Sequence, residues 1–299
     1  MQVPSVGSNL HRIVCDERER RDFEFVKGIS ALMKDASSQN LDSTIAVKLT
    51  DDVSLSKVQN PATTDEMIVD EIEREGTDII PGRYGGGLKV WECSLDLCRY
   101  IWSQRDCMKV RYALEIGCGH GLPGCLILRI GIQSGSPIKV LFADLNDFVL
   151  KGVTIPNIIL NTKGFAEENV VNSVVLGAGD WLEMSRRLSQ GAYETPQLPS
   201  GGRFDLVLAA ETTYTTESSE DTAILLAQHI AVDGMGLVAT KRYYFGCGGG
   251  SDALMDALSA QQVMIEGRSY ILHAKTIEVF DSGSGNIREL LQVVLQVVP

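Results

Sequence analysis

Between residues 110 and 240 the chain alternates short apolar runs with longer mixed segments. The runs at 110–118, 139–144, 174–178, 204–210 and 235–240 are nearly all aliphatic, as in "KVLFAD" at 139–144. Such short, continuous runs read as strands buried on both faces, because a half-exposed strand would alternate polar and apolar residues. The segments between them suit helices or turns, so the pattern predicts an α/β fold with a parallel sheet covered on both sides. Two longer β-branched stretches follow at 264–281 and 288–298, and "DSGSGN" between them predicts a hairpin turn.

The first 76 residues read differently. They are polar, mixed in charge and weakly periodic. "DERERRDF" predicts a solvated helix or arm, "STIAVKLT" a strand, and "TTDEMIVDEIERE" a short helix opened by Thr64 or Asp65. This divides the chain into an N-terminal extension (1–76), partly ordered at most, and one main domain (77–299).

Composition narrows the class. At 299 residues, 44% apolar and 22% charged, the chain reads as an ordinary soluble globular protein with a sizeable core. A net charge of −12 excludes sequence-independent nucleic-acid binding through bulk charge and favours a basic protein partner. Seven cysteines, at 15, 93, 98, 107, 118, 125 and 247, make no C-x-x-C pair and no metal-ligand spacing. That predicts reduced thiols, no metal site, and a cytoplasmic or nuclear location. No apolar signal core opens the chain, and no run reaches the roughly 18 residues of a membrane span.

The candidate chemistry starts at "ALEIGCGHGLPG", residues 113–124. Gly119, Gly121 and Gly124 match the dinucleotide pattern G-x-G-x-x-G. Glu115, Gly117, Gly119 and Gly121 equally match E-x-G-x-G-x-G, the pattern of S-adenosylmethionine-dependent methyltransferases. Two features weigh against the dinucleotide. Glu115 puts a carboxylate where a pyrophosphate would have to lie, whereas a sulfonium and an ammonium would be favoured there. The chain also ends in a hairpin, as class I methyltransferases do, rather than continuing in parallel.

Further acids sit where later strands end. Asp144 is placed to accept both hydroxyls of a ribose. In "GAGDW", Asp180 either accepts from an adenine amino group beside Trp181 or is a loop cap beside a core tryptophan. His120, inside the glycine turn, reads as a loop histidine near solvent. "FDLVLAAETTY" leaves Glu211 and Tyr214 at the sheet's carboxyl edge, an acid to orient an incoming N–H and an aromatic wall against water. The alternative for Glu211 is a cap on the next helix.

Three stretches together, "GGLKVWECSLDL" (86–97), "AAETTY" (209–214) and "KRYYFGCGGG" (241–250), resemble the protein-histidine N-methyltransferases, the histidine protein methyltransferase 1 homologues. The likeness runs from about Thr77 to the C-terminus. The resemblance implies a Rossmann-like class I methyltransferase with a mostly parallel seven-stranded sheet and a C-terminal antiparallel hairpin. It implies S-adenosyl-L-methionine as cofactor, held by Val90, Trp91, Glu92, Cys93 and Ser94 from outside the sheet. Gly117, Asp144, Leu145, Asn146, Gly179, Asp180, Trp181 and Ala210 would complete that pocket. Glu211 and Tyr214 would be catalytic. Tyr243, Tyr244, Phe245, Gly248, Gly249 and Gly250 would meet the substrate, which in this family is a histidine of large-subunit ribosomal protein number three. A monomer is expected, and no direct nucleic-acid site is evident in the sequence. Gly85 and Tyr243 depart from the family pattern, which has an acid and a histidine there. A protein-lysine methyltransferase on the same scaffold and a non-catalytic ribosomal-protein binding factor remain as alternatives.

Overall fold

The computed structural model describes residues 22–38, 44–59, 68, 71–72, 74, 78–80, 83–191, 198–281, 283 and 285–298. Its centre is the sheet formed by β4 (Tyr112–Ile116), β5 (Lys139–Asp144), β6 (Val174–Ala178), β7 (Phe204–Ala210) and β8 (Ile230–Lys241). These five pair in parallel in the order β6-β5-β4-β7-β8. β9 (Gln262–Ile265), β10 (Arg268–Asp281) and β11 (Ile287–Val297) add three antiparallel ladders, β11 lying between β8 and β10.

Successive residues of each central strand enter opposite halves of the core. Val140 and Phe142 pack on one side with Leu206, Leu208 and Leu126, while Leu141 and Ala143 pack on the other with Val207, Leu225 and Leu254. Both faces are therefore dry, which is why the strands carry unbroken apolar runs. The first face is covered by α2 (Glu92–Gln104) and α3 (Leu122–Gln133), followed by a helical stretch ending in α4 (Ile155–Asn161); α5 (Glu167–Val171) lies nearby. The second face carries α6 (Trp181–Ser189), α7 (Thr216–His229) and α8 (Ser251–Ser259).

Among the described residues the sheet has nine strands, two more than expected. One addition arises where the expected 264–281 strand breaks at Glu266–Gly267. Both residues have positive φ, 49° and 78°, and they make a two-residue turn between β9 and β10. The other is β1 (Glu24–Phe25), which pairs antiparallel with β6 at the opposite edge. Phe23 beside it is fully buried, lying over Gly177, where a Cβ would stand 2.2 Å from the ring. Beyond β1, the helix Ile29–Ser38 (α1) and the hairpin of β2 (Thr44–Lys48) and β3 (Ser54–Val58) dock through Met33, Leu49 and Leu55 onto the first face. Residues 22–58, where described, thus pack on the main domain. The expected arm at 16–21 and the capping Thr64 or Asp65 lie outside the described residues; Ile68, Glu71, Ile72 and Arg74 are helical.

Candidate functional site

The carboxyl ends of β4, β5, β6, β7 and β8 open into one cavity of about 1070 Å³. Its floor is the glycine turn after β4. Gly117, Gly119 and Gly121 all have positive φ, 58°, 50° and 64°, so the chain makes a left-handed step at every second residue. Side chains here would also close the space: a Cβ on Gly117 would lie 3.1 Å from the Trp181 ring and one on Gly119 3.1 Å from Gly87 O. The turn is fixed from behind by Thr154, whose hydroxyl donates to Gly119 O at 2.6 Å from a π-helical turn at Leu150–Thr154.

Two buried acids brace that turn. Asp144 accepts from the Gly119 amide at 2.9 Å through Oδ2 and from the Asn146 amide at 3.0 Å through Oδ1. Burial pushes its carboxyl up to about 6 against the pull of those amides. Glu115 accepts from Gly124 N at 2.9 Å, at the first turn of α3. Burial, aided by the charge of Asp144, pushes it up to about 8, so at neutral pH it keeps its proton in the free chain. Glu115 is therefore a neutral carboxylic acid here, not the standing anion expected of it.

His120 departs from expectation. It is buried, not near solvent. Its Nε2–H donates to Leu88 O at 3.0 Å, since a carbonyl can only accept, and Nδ1 receives Asn157 Nδ2 at 3.0 Å. Burial lowers it to about 4, so it stays neutral and ties the 83–91 segment to the glycine turn. That segment forms the outer wall, with Val90, Trp91 and Ser94 lining the cavity and Trp91 Nε1 donating to Gly86 O at 3.0 Å. Glu92 and Cys93 do not line it. The Glu92 side chain is exposed and pairs with Arg288 at 3.1 Å, because opening α2 turns it away from the cavity. Cys93 is fully buried beneath, beside Glu211.

At the β5 and β6 ends, Leu145, Asp180 and Trp181 line the cavity. Asp180 Oδ1 caps α6, accepting from Leu182 N and Glu183 N at 2.9 and 3.0 Å, so that oxygen serves a helix start rather than a loop. Asn146 sits one step outside, its Nδ2 donating to Arg83 O. Gly179 is not a cavity residue: a Cβ there would stand 2.3 Å from Asp22 O, so it makes room for the N-terminal segment.

The β7 end supplies Ala210, Glu211 and Tyr214 to the lining. Glu211 holds a left-handed conformation, φ 57°, costly for a residue with a side chain. It does not cap α7, whose cap is Thr215 in a reciprocal bond with Ser218. Instead Glu211 Oε2 accepts from the hydroxyl of Tyr244 at 2.5 Å and lies 3.7 Å from Lys241 Nζ. Burial and the acid together push the Tyr244 hydroxyl far above its usual range.

Of the expected substrate residues, Tyr244 lines the cavity, while Tyr243 and Phe245 stand 56% and 88% exposed beside it. Gly249 and Gly250 act otherwise than expected. A Cβ on Gly249 would stand 2.1 Å from Thr213 O and one on Gly250 2.2 Å from Arg242 O. Gly250 N also donates to Thr213 O at 2.8 Å, and Thr216 Oγ1 donates to Gly248 O at 3.2 Å. The close approach these glycines permit is to the chain itself. It stitches residues 243–250 onto 213–216 and leaves no room for a substrate backbone at Gly249 and Gly250, whereas Gly248 is exposed. Sequence reasoning missed Lys241; a basic residue closing the last parallel strand was the available signal.

Among the described residues, three buried side-chain polar atoms have no partner: Asn146 Oδ1, Trp181 Nε1 and Glu211 Oε1. Each such atom costs about 1–3 kcal/mol unless something meets it. Two belong to cavity-lining residues and the third adjoins Asp144, so the cleft is built for a polar ligand. An amino-acid nucleoside with a positive charge fits that set of acids, open backbone and aromatic walls.

Strand order, hairpin and cleft define a class I methyltransferase, a class whose cofactor is S-adenosylmethionine. A family model described as lysine methyltransferase matches residues 81–245, and the chain belongs to that family. It is 33% identical over 217 residues to the histidine protein methyltransferase 1 homolog of Dictyostelium discoideum, covering 73% of this chain and 60% of that one. The Rattus norvegicus homolog of the same name is 29% identical over 236 residues, 73% of this chain and 59% of that one. The histone-arginine methyltransferase METTL23 of Xenopus laevis is 25% identical over 188 residues, 59% and 68% of the two chains. The chain spans about three fifths of the length of the histidine-named relatives. No helix among the described residues is long and apolar enough to cross a membrane, and the six described cysteines are free.

Proposed function

We propose that the chain is an S-adenosylmethionine-dependent protein-histidine N-methyltransferase acting on a histidine ring nitrogen of large-subunit ribosomal protein number three. The observation that carries this reading is the hydrogen bond from Tyr244 to Glu211. The tyrosine belongs to "KRYYFGCGGG", one of the three stretches that resemble the histidine enzymes, and the acid stands where ligand and acceptor would meet. The curated names of the relatives support the same acceptor.

S-adenosylmethionine, when bound, supplies a methyl group activated by a sulfonium charge. The chain's own parts would divide the work around it. Gly117 and Gly119 open the backbone, Asp144 accepts ribose hydroxyls, Asp180 and Trp181 face the adenine, and Val90, Trp91 and Ser94 close the outer wall. Glu115 ionises when a cation arrives. At the acceptor end, Glu211 would accept the imidazole N–H, its Oε2 already holding the Tyr244 hydroxyl and the Cys93 thiol lying beside the carboxylate. That fixes the tautomer, aims the other ring nitrogen's lone pair into the cleft, and stabilises the positive charge the ring acquires. Tyr214 walls off water. An imidazole with its ordinary pKa near 6.5 is mostly neutral at pH 7, so no strong base is required.

The net charge of −12 favours a basic ribosomal protein as partner. The reading has the enzyme working as a monomer in cytoplasm or nucleus. A lysine acceptor is the second reading, favoured by the family model's description. Incubation with labelled S-adenosylmethionine and cell extract, then acid hydrolysis and amino-acid analysis, decides between them. Methylhistidine from a ribosomal protein is expected; methyl-lysine would move the assignment.

A further inference from the structure

Lys241 ends β8 at the acceptor edge of the cavity, and no step above uses it. Its ammonium lies 3.7 Å from Glu211 Oε2, 5.2 Å from the centre of the Tyr244 ring and 5.6 Å from that of the Trp91 ring. The side chain is 23% exposed. Two aromatic faces and a carboxylate are the surroundings that hold an ammonium well. Here the protein's own lysine fills them.

We infer that Lys241 is a specificity-determining residue: it occupies the cation position of the acceptor end and so excludes charged acceptors, leaving the site to an uncharged ring nitrogen. The inference rests on the histidine reading above.

The exclusion is electrostatic. A substrate lysine, with a pKa of about 10.4, arrives as an ammonium. At this edge it would meet Lys241 in a partly desolvated pocket whose carboxylate is already shared between Lys241 and Tyr244. A resident cation also lowers the pKa of an incoming amine, which eases loss of its proton. The site would still have to draw on the free amine, roughly one lysine in 10³ at pH 7. An arginine acceptor is charged throughout and fares worse. A neutral imidazole meets no such repulsion.

A purely structural role for Lys241 is the competing account, since its backbone amide also donates to the Tyr244 hydroxyl at 3.4 Å. Lys241→Met removes the charge and keeps the apolar stem, whereas Lys241→Arg keeps the charge. The full chain in each form would be incubated with labelled S-adenosylmethionine and cell extract, and methylhistidine and methyl-lysine counted after hydrolysis. Calorimetric affinity for S-adenosylhomocysteine reports separately that each form is folded. The expected result is that Lys241→Met raises the methyl-lysine to methylhistidine ratio at least about tenfold at pH 7, while Lys241→Arg leaves it near wild type. In the wild type, any methyl-lysine yield should rise about tenfold per pH unit between 7 and 9. If Lys241→Met binds S-adenosylhomocysteine yet keeps the wild-type ratio, including a case where both products fall together, the inference is overturned. Should that variant fail to bind, Lys241→Gln takes its place. Wild-type chain yielding mainly methyl-lysine, or no labelled residue, overturns the histidine reading itself, a result visible before any variant is made.

Discussion

Two glycine-rich loops of similar composition, "GCGHG" at 117–121 and "GCGGG" at 246–250, serve opposite ends of the cavity and do different physical work. In the first, missing side chains clear space on the wall of a cleft, against Trp181, Thr212 and Gly87. In the second, they let two stretches of backbone touch, Gly249 against Thr213 and Gly250 against Arg242. In the proposed function the first makes room for the cofactor. The second locks Tyr244 onto Glu211, the acid proposed to face the acceptor. Glycine content alone does not separate the two roles; what stands opposite each absent Cβ does.

The contrast breaks most visibly at Gly249. A valine there meets backbone at 2.1–2.6 Å, which no rotamer relieves. Gly249→Val should cost about 1–3 kcal/mol of unfolding free energy or more, read by urea denaturation, and should lose methyl transfer outright. An effect confined to the substrate constant would mean that the glycine faces substrate after all. Glu211→Gln comes next. It retains shape and removes charge, so transfer should fall about 10²–10³-fold in single-turnover assays. Asp144→Ala should weaken S-adenosylhomocysteine by about 1.5–3 kcal/mol, roughly 10–150-fold, with a much smaller change in transfer at saturating cofactor. Turnover collapsing at unchanged affinity would remove Asp144 from the ribose.

The smallest effect sharpens the cofactor end through pH. Burial lifts Glu115 from its ordinary 4.5 to about 8, so the folded chain holds more protons than the unfolded chain in that interval. Its contribution to stability is complete below about pH 4.5 and is lost as pH rises through 8. The thermal midpoint should therefore decline across that window, and Glu115→Gln should flatten the decline. Affinity for the cationic cofactor should move the other way, rising by up to about tenfold per pH unit toward pH 8 as the carboxyl ionises more readily. Affinity that is flat with pH would mean that cofactor binding does not change the protonation of Glu115.

Much of the sheet was legible because both its faces are buried, which forces unbroken apolar runs at β4, β5, β6 and β7. What escaped was set by short or distant partners. β1 is two residues long and exists because Gly177 and Gly179 leave space over β6, a pairing across more than 150 residues that no local pattern announces. The Glu266–Gly267 turn did carry a signal, a two-residue break before alternating positions, masked by the apolar residues on both sides. At the site, acids at strand ends were readable from position alone. The orientation of Glu92 and the burial of His120 were not, since helix phase decides the first and Asn157 and Leu88 the second.

The central claim is that the glycine turn at 117–121 holds the cofactor while Glu211 serves the acceptor. Calorimetric titration of S-adenosylhomocysteine into wild type, Gly117→Arg and Glu211→Gln tests it most directly. The account predicts binding to wild type, no detectable heat for Gly117→Arg, whose side chain would fill the cleft beside Trp181 and Thr212, and near wild-type affinity for Glu211→Gln. Binding that survives Gly117→Arg, or that is lost in Glu211→Gln with the fold intact, would contradict it.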